Sequence, residues 1–129
     1  MGAERDDVLT FVRAVLAVGG VYVRPASLAD DAVLLGMAFP DVEGYRVAAA
    51  STVRALRQLV SGAASGAELR HDLAGWRSFH YQSSRANGSR ADMRIVYRDR
   101  PDGGIDVWSF GHRHVPSSFY WRLRGKERP

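Results

Sequence analysis

The chain has no cysteine, one lysine (Lys126) among its 18 basic residues, and no long uninterrupted apolar run. Without cysteine there is no disulfide, no thiolate nucleophile and no sulfur-ligated zinc. A membrane-spanning helix needs about 18 or more consecutive apolar residues, so none is expected. The apolar stretch Val8–Val18 follows Glu4, Asp6 and Asp7 and is interrupted by Arg13. A secretory signal wants a cationic start and an unbroken apolar centre, so this is read as a helix of the domain. Charged residues are 25%, an ordinary share, which argues against disorder. These absences point to a soluble, cytoplasmic domain that works without metal or cofactor.

The chain does have enough apolar residues, 46% of 129, for a single core. Its charge is placed unevenly. Residues 1–43 carry seven acids and three arginines, a net of −4, whereas residues 44–129 carry seven acids and fifteen bases, a net of +8. A field of that sign attracts phosphates whatever their sequence, so the second part is expected to meet a polyanion. The excess of arginine over lysine is discounted in part as the mark of a GC-rich genome.

Val8, Leu9, Phe11, Val12, Val15 and Leu16 recur at helical spacing and predict a helix over 7–18, ended by Gly19-Gly20. Val21, Tyr22 and Val23 read as a short strand closed by Pro25. Ser27-Leu28-Ala29-Asp30 has the form of a capped start, and Leu28, Ala32, Leu35 and Phe39 carry a helix to Ala38. Asp41 caps a longer helix through Ser61, stopped by Gly62, and a link this short predicts a helix hairpin.

After Gly66 the pattern alternates. Strands are predicted over 76–82, 92–99 and 105–111, with a polar connection over 82–91 and a turn at Pro101–Gly104. Met93, Ile95 and Tyr97 share one face of the second of these, and Arg94, Val96 and Arg98 the other. The strand over 105–111 is apolar on both faces and is therefore placed centrally. A short helix from Ser117 to Arg124 closes the domain, and residues 125–129 read as a solvated tail. Trp76, Trp108 and Phe110 are read as core, and His71 as structural. The order of elements predicts one α+β domain: a helix hairpin on a mostly antiparallel sheet of about four strands, with an extra N-terminal helix in residues 1–20.

Several segments in order carry a resemblance. Glu68-Leu69-Arg70-His71-Asp72-Leu73-Ala74-Gly75-Trp76 is followed by Met93-Arg94-Ile95-Val96-Tyr97-Arg98. Gly111-His112-Arg113-His114 and then Tyr120 complete the set. An R-I-V-Y strand, a turn and a G-x-R exit after a helix hairpin resemble the RelE/ParE toxin superfamily of type II toxin–antitoxin systems, over about Val21–Leu123. The resemblance implies a RelE-like toxin that cleaves messenger RNA on the ribosome and is neutralised by a cognate antitoxin protein. A homodimer stays open as a partner state, and no membrane partner is expected. In that chemistry the 2′-hydroxyl attacks the adjacent phosphorus without a metal.

By the same resemblance Arg94, Arg113 and Tyr120 are catalytic. Arginine suits the charge role because its fork stays ionised and can hold two oxygens. Family members carry lysines on the strand before R-I-V-Y. This chain has Arg77 and His80 there, so the base role falls on His80, His112 or His114. His80 joins the catalytic set, and Arg77, Arg98, His112 and His114 form the expected nucleic-acid-binding set. No metal site is expected from His112 and His114, which have no acid nearby.

Two alternatives stay open: a ParE-like gyrase inhibitor that cuts nothing, and a non-toxic relative acting as a nucleic-acid or protein-binding module. The acidic first part and its apolar stripe leave two readings of residues 4–18: a helix that lies against the basic part as an antitoxin helix would, in cis or in a dimer, or an extra helix that patches the core.

Overall fold

A strand that is apolar on both faces needs cover on both sides, and Ile105–His112 dictates the layering here. The computed structural model describes residues 3–85 and 90–129, so the connection predicted over 82–91 falls partly outside the described residues. In order the elements are α1 (Arg5–Leu16), β1 (Val21–Val23), α2 (Pro25–Ala38), α3 (Val42–Ser61) and β2 (Ala67–Glu68). They continue with a 3₁₀ turn (His71–Leu73), β3 (Arg77–Tyr81), β4 (Met93–Asp99), β5 (Ile105–His112) and α4 (Phe119–Arg124). The fold is α+β.

The sheet has five strands in the order β1-β5-β4-β3-β2, with β1 parallel to β5 and every other pair antiparallel. The additional strand is β2, two exposed residues with no alternation for a pattern to reveal. Val96 pairs with Ser109 and Tyr97 with Val107, so Trp108 is an extra residue in β5, a bulge that turns its indole to the second face.

Each face has its own core. Phe11 and Val15 of α1, Leu28 and Leu35 of α2, and Tyr45 and Leu56 of α3 bury Tyr81, Ile95 and Phe110 on one side. On the other, Leu73, Trp76, Val96, Trp108, Phe119 and Leu123 pack together. Trp76, Trp108 and Phe110 are all buried, so no ring of the three is free to stack on a base. α1 is wedged against both α3 and α2 on the sheet face away from Arg94, where Phe11 and Val15 enter the core and Asp7 pairs with Arg46 of α3 at 3.0 Å. α2 and α3 meet at Tyr45, whose hydroxyl donates to Ala32 O at 2.8 Å.

Two local expectations are corrected. α2 begins at Pro25, a residue suited to the first helical position because its missing N–H is not needed there. Ser27 is therefore inside the helix, and its hydroxyl donates to Trp108 O at 3.0 Å instead of capping. The segment 125–129 is no solvated tail. Lys126 Nζ lies 2.7 Å from Asp31, Glu127 pairs with Arg24 at 3.0 Å, and Arg128 donates to Asp72 O at 2.8 Å. β1 ends at Val23, leaving the edge of β5 beyond Val107 without a strand. Ser27 and Asp31 of α2 take over there, and Asp31 accepts the Phe110 N–H at 3.1 Å.

Candidate functional site

Cross-strand registry places the site. His80 of β3 stands directly opposite Arg94 of β4, and Arg94 opposite Gly111 of β5, so His80 and Arg94 project from one face. Ser78, two residues before His80, shares that face. Gly111 brings no side chain, and the space goes to α4: a Cβ there would lie 3.2 Å from an Arg122 nitrogen and 3.8 Å from the Phe119 ring. α4 then delivers Tyr120 over the sheet, where its hydroxyl and that of Ser78 are 2.7 Å apart.

The Arg94 guanidinium donates to Ala91 O at 2.8 Å and to Met93 O at 2.9 Å, and Tyr120 lies close enough to act on its charge. It is half-buried, and burial holds its pKa below the ordinary arginine value. The nearby Tyr120 hydroxyl opposes that shift and the like charge of Arg113 adds to it. Arg113 is held by its backbone, donating N–H to Asp92 O at 2.9 Å and accepting from Phe119 N at 3.0 Å. His80 sits at the exposed rim of this group. Partial burial, and then the Arg94 charge, lower its pKa below the usual 6.5, so the ring is neutral near pH 7 and can accept a proton.

Thus Arg94, Arg113, Tyr120 and His80, drawn from β4, the β5–α4 connection, α4 and β3, gather where α4 meets the sheet, with His80 at the exposed rim. The other four expected residues are elsewhere. Arg77 alternates to the opposite face from His80, where it donates to Gly66 O and pairs with Glu68 at 3.3 Å. Arg98 shares the face of Arg94 but lies farther along β4, stacked on Trp76 at 4.6 Å and paired with Asp106 at 3.1 Å. His112 points toward the helices, edge-on to Phe39. Its Nδ1 accepts the N–H groups of His114 and Val115 at 3.0 and 3.1 Å, so it organises the turn that carries Arg113. Burial lowers the His112 pKa, in keeping with a neutral accepting ring. His114 is exposed in the same turn, its ring 6.3 Å from that of His112.

Two residues escaped the sequence reading. Ser78 had a signal, since it lies two positions from His80 in a predicted strand. Arg122 had none: its guanidinium binds Ser117 O and, at 2.7 Å, His112 O, fixing α4 against the end of β5. Both acceptors are carbonyls, which carry no mark in a sequence. Among the described residues no three His, Asp or Glu side chains converge as a metal site would require. No protein-family model, no curated protein and no solved structure matches the chain.

Proposed function

We propose that the chain is a metal-independent endoribonuclease of the RelE kind, cutting messenger RNA on the ribosome by 2′-hydroxyl attack. The observation that carries this reading is the gathering of two arginines, a neutral histidine and a tyrosine hydroxyl at the edge of α4 on one sheet face. In the proposed reaction His80 takes the 2′ proton while the 2′-oxygen bonds to phosphorus. Arg94 and Arg113 balance the charge that grows on the phosphoryl oxygens. Tyr120, with its hydroxyl on Ser78, gives a proton to the departing 5′-oxygen, leaving a cyclic phosphate and a free 5′-hydroxyl.

The test is induced expression in a bacterial host, comparing wild type with the Arg94→Ala/Arg113→Ala double variant and mapping the 5′ ends of transcripts. Growth arrest with new cuts inside translated codons, both lost in the variant, is the expected result.

A second reading is favoured by one observation. Arg94 already spends hydrogen bonds on the Ala91 and Met93 carbonyls, as a residue that shapes a binding surface would. A module that binds protein or nucleic acid without cutting it, a gyrase inhibitor included, fits that state. Arrest without cuts, or normal growth from folded protein, would move the function there.

A further inference from the structure

The strongest feature outside that patch is on the opposite side of the sheet, between α1 and α3. These helices run in the same direction: Asp7 pairs with Arg46 at their starts, and Gly20, just past α1, lies against Val60 near the end of α3. Small residues separate them. Ala14 on α1 and Ala49 and Ala50 on α3 leave a cavity of about 520 Å³ over a floor formed by Phe11, Tyr45 and Val53. That volume is within the range of small-molecule sites, about 300–1,000 Å³.

The charge on its rim is graded. At one end Arg46 Nε is neutralised by Asp7 at 3.0 Å. At the other, Arg54 and Arg57 are exposed on adjacent positions of one helix face, and among the described residues no acid pairs with either. About 16 Å of helix axis separate Arg46 from Arg57, the length of an extended chain of roughly twelve methylenes.

We propose that this groove binds a single-chain amphipathic anion, its acyl chain along the alanine-lined slot and its carboxylate or phosphate head on Arg54 and Arg57. An apolar slot favours the chain by removing its methylenes from water. A pair of unpartnered guanidinium forks at one end gives the head a preferred direction. A neutralised Asp7–Arg46 end, and two arginines at the other end that no acid among the described residues pairs, suit a chain with one charged head better than a docked helix.

The probes are dodecanoate below its micelle concentration, hexanoate, and uncharged dodecyl maltoside, titrated into the full chain by calorimetry and amide NMR. Saturable one-to-one binding of dodecanoate with shifts on α1 and α3 is expected, at least tenfold weaker for hexanoate and for the maltoside. The Arg54→Gln/Arg57→Gln variant should bind dodecanoate at least tenfold less tightly. Ala50→Phe, which fills the slot from an exposed position, should abolish binding, and Arg70→Gln should leave it unchanged. The proposal is overturned by absent or unsaturable binding, by equal affinity in the double arginine variant, or by shifts confined to another surface. It is equally overturned if an acidic helical peptide or a second copy of the chain shifts the α1 and α3 amides where dodecanoate does not.

Discussion

Lys126 Nζ lies 2.7 Å from Asp31 Oδ1, so the single lysine of the chain is the partner of its most deeply buried carboxylate. Asp31 also accepts from the Ser109 hydroxyl and the Phe110 N–H, which ties α2, β5 and the C-terminal segment into one polar node. Burial pushes the Asp31 pKa up to about 6 against an opposing pull from Lys126.

Lys126→Met removes the cation and leaves that carboxylate buried without its charge partner. A loss of about 3 kcal/mol at neutral pH is expected. The folded pKa of Asp31, about 6, is above its unfolded value of 3.8, so the native state binds the proton more tightly. Its contribution is full below the unfolded value and is lost as pH rises through about 6. Without Lys126 the folded pKa rises further, and the deficit should be larger near pH 7.5 than near pH 5. Urea denaturation at both pH values measures this, and equal deficits would contradict it.

His80 should titrate below 6.5 in the folded chain, because burial and then Arg94 disfavour its charged form. The imidazole resonances report this directly, and Arg94→Gln should move the midpoint upward. Because the unfolded chain takes the proton first, the His80 contribution to stability declines as pH falls below 6.5. A midpoint above 6.5 in wild type would remove the case for His80 as a base at neutral pH.

Tyr120→Phe deletes the hydroxyl paired with Ser78 while keeping the ring packed edge-on to Phe119. Under the ribonuclease reading, transcript cleavage should drop by about 10²-fold or more with little change in melting temperature. Ser78→Ala should give a smaller loss, since Phe119 still packs against the tyrosine ring. Unchanged cleavage in Tyr120→Phe would exclude Tyr120 as the acid.

Gly66 tests the backbone beneath the site. A Cβ there would lie 2.6 Å from the carbonyl carbon and 2.7 Å from the carbonyl oxygen of Ser78, with no flexible group to yield. Its N–H also donates to the Tyr97 hydroxyl at 2.7 Å. Gly66→Ala should therefore cost about 2 kcal/mol or more and weaken the β2–β3 pairing. Calorimetry and amide exchange at Ala67 and Ser78 would show it; a near-neutral melting temperature would refute it.

The elements that the sequence determined by itself are those with a local physical signature. The apolar period of α3 between Asp41 and Gly62 specified that helix to its ends, because a side-chain cap and a left-handed glycine act within one turn. Alternation placed β4 and β5, and apolarity on both faces placed β5 inside the sheet. At the start of α2 two real signals compete: Pro25 can end a strand or open a helix, and Ser27 can cap or donate sideways. Only the strand register decided that Arg94 and His80 are neighbours while Arg77 faces away. Only the packing of α4 over Gly111 brought Tyr120 to Ser78. Likewise nothing near Lys126 in the chain announces Asp31, 95 residues away. Such pairings come from tertiary geometry, because a buried charge takes its partner from whichever segment the fold lays beside it.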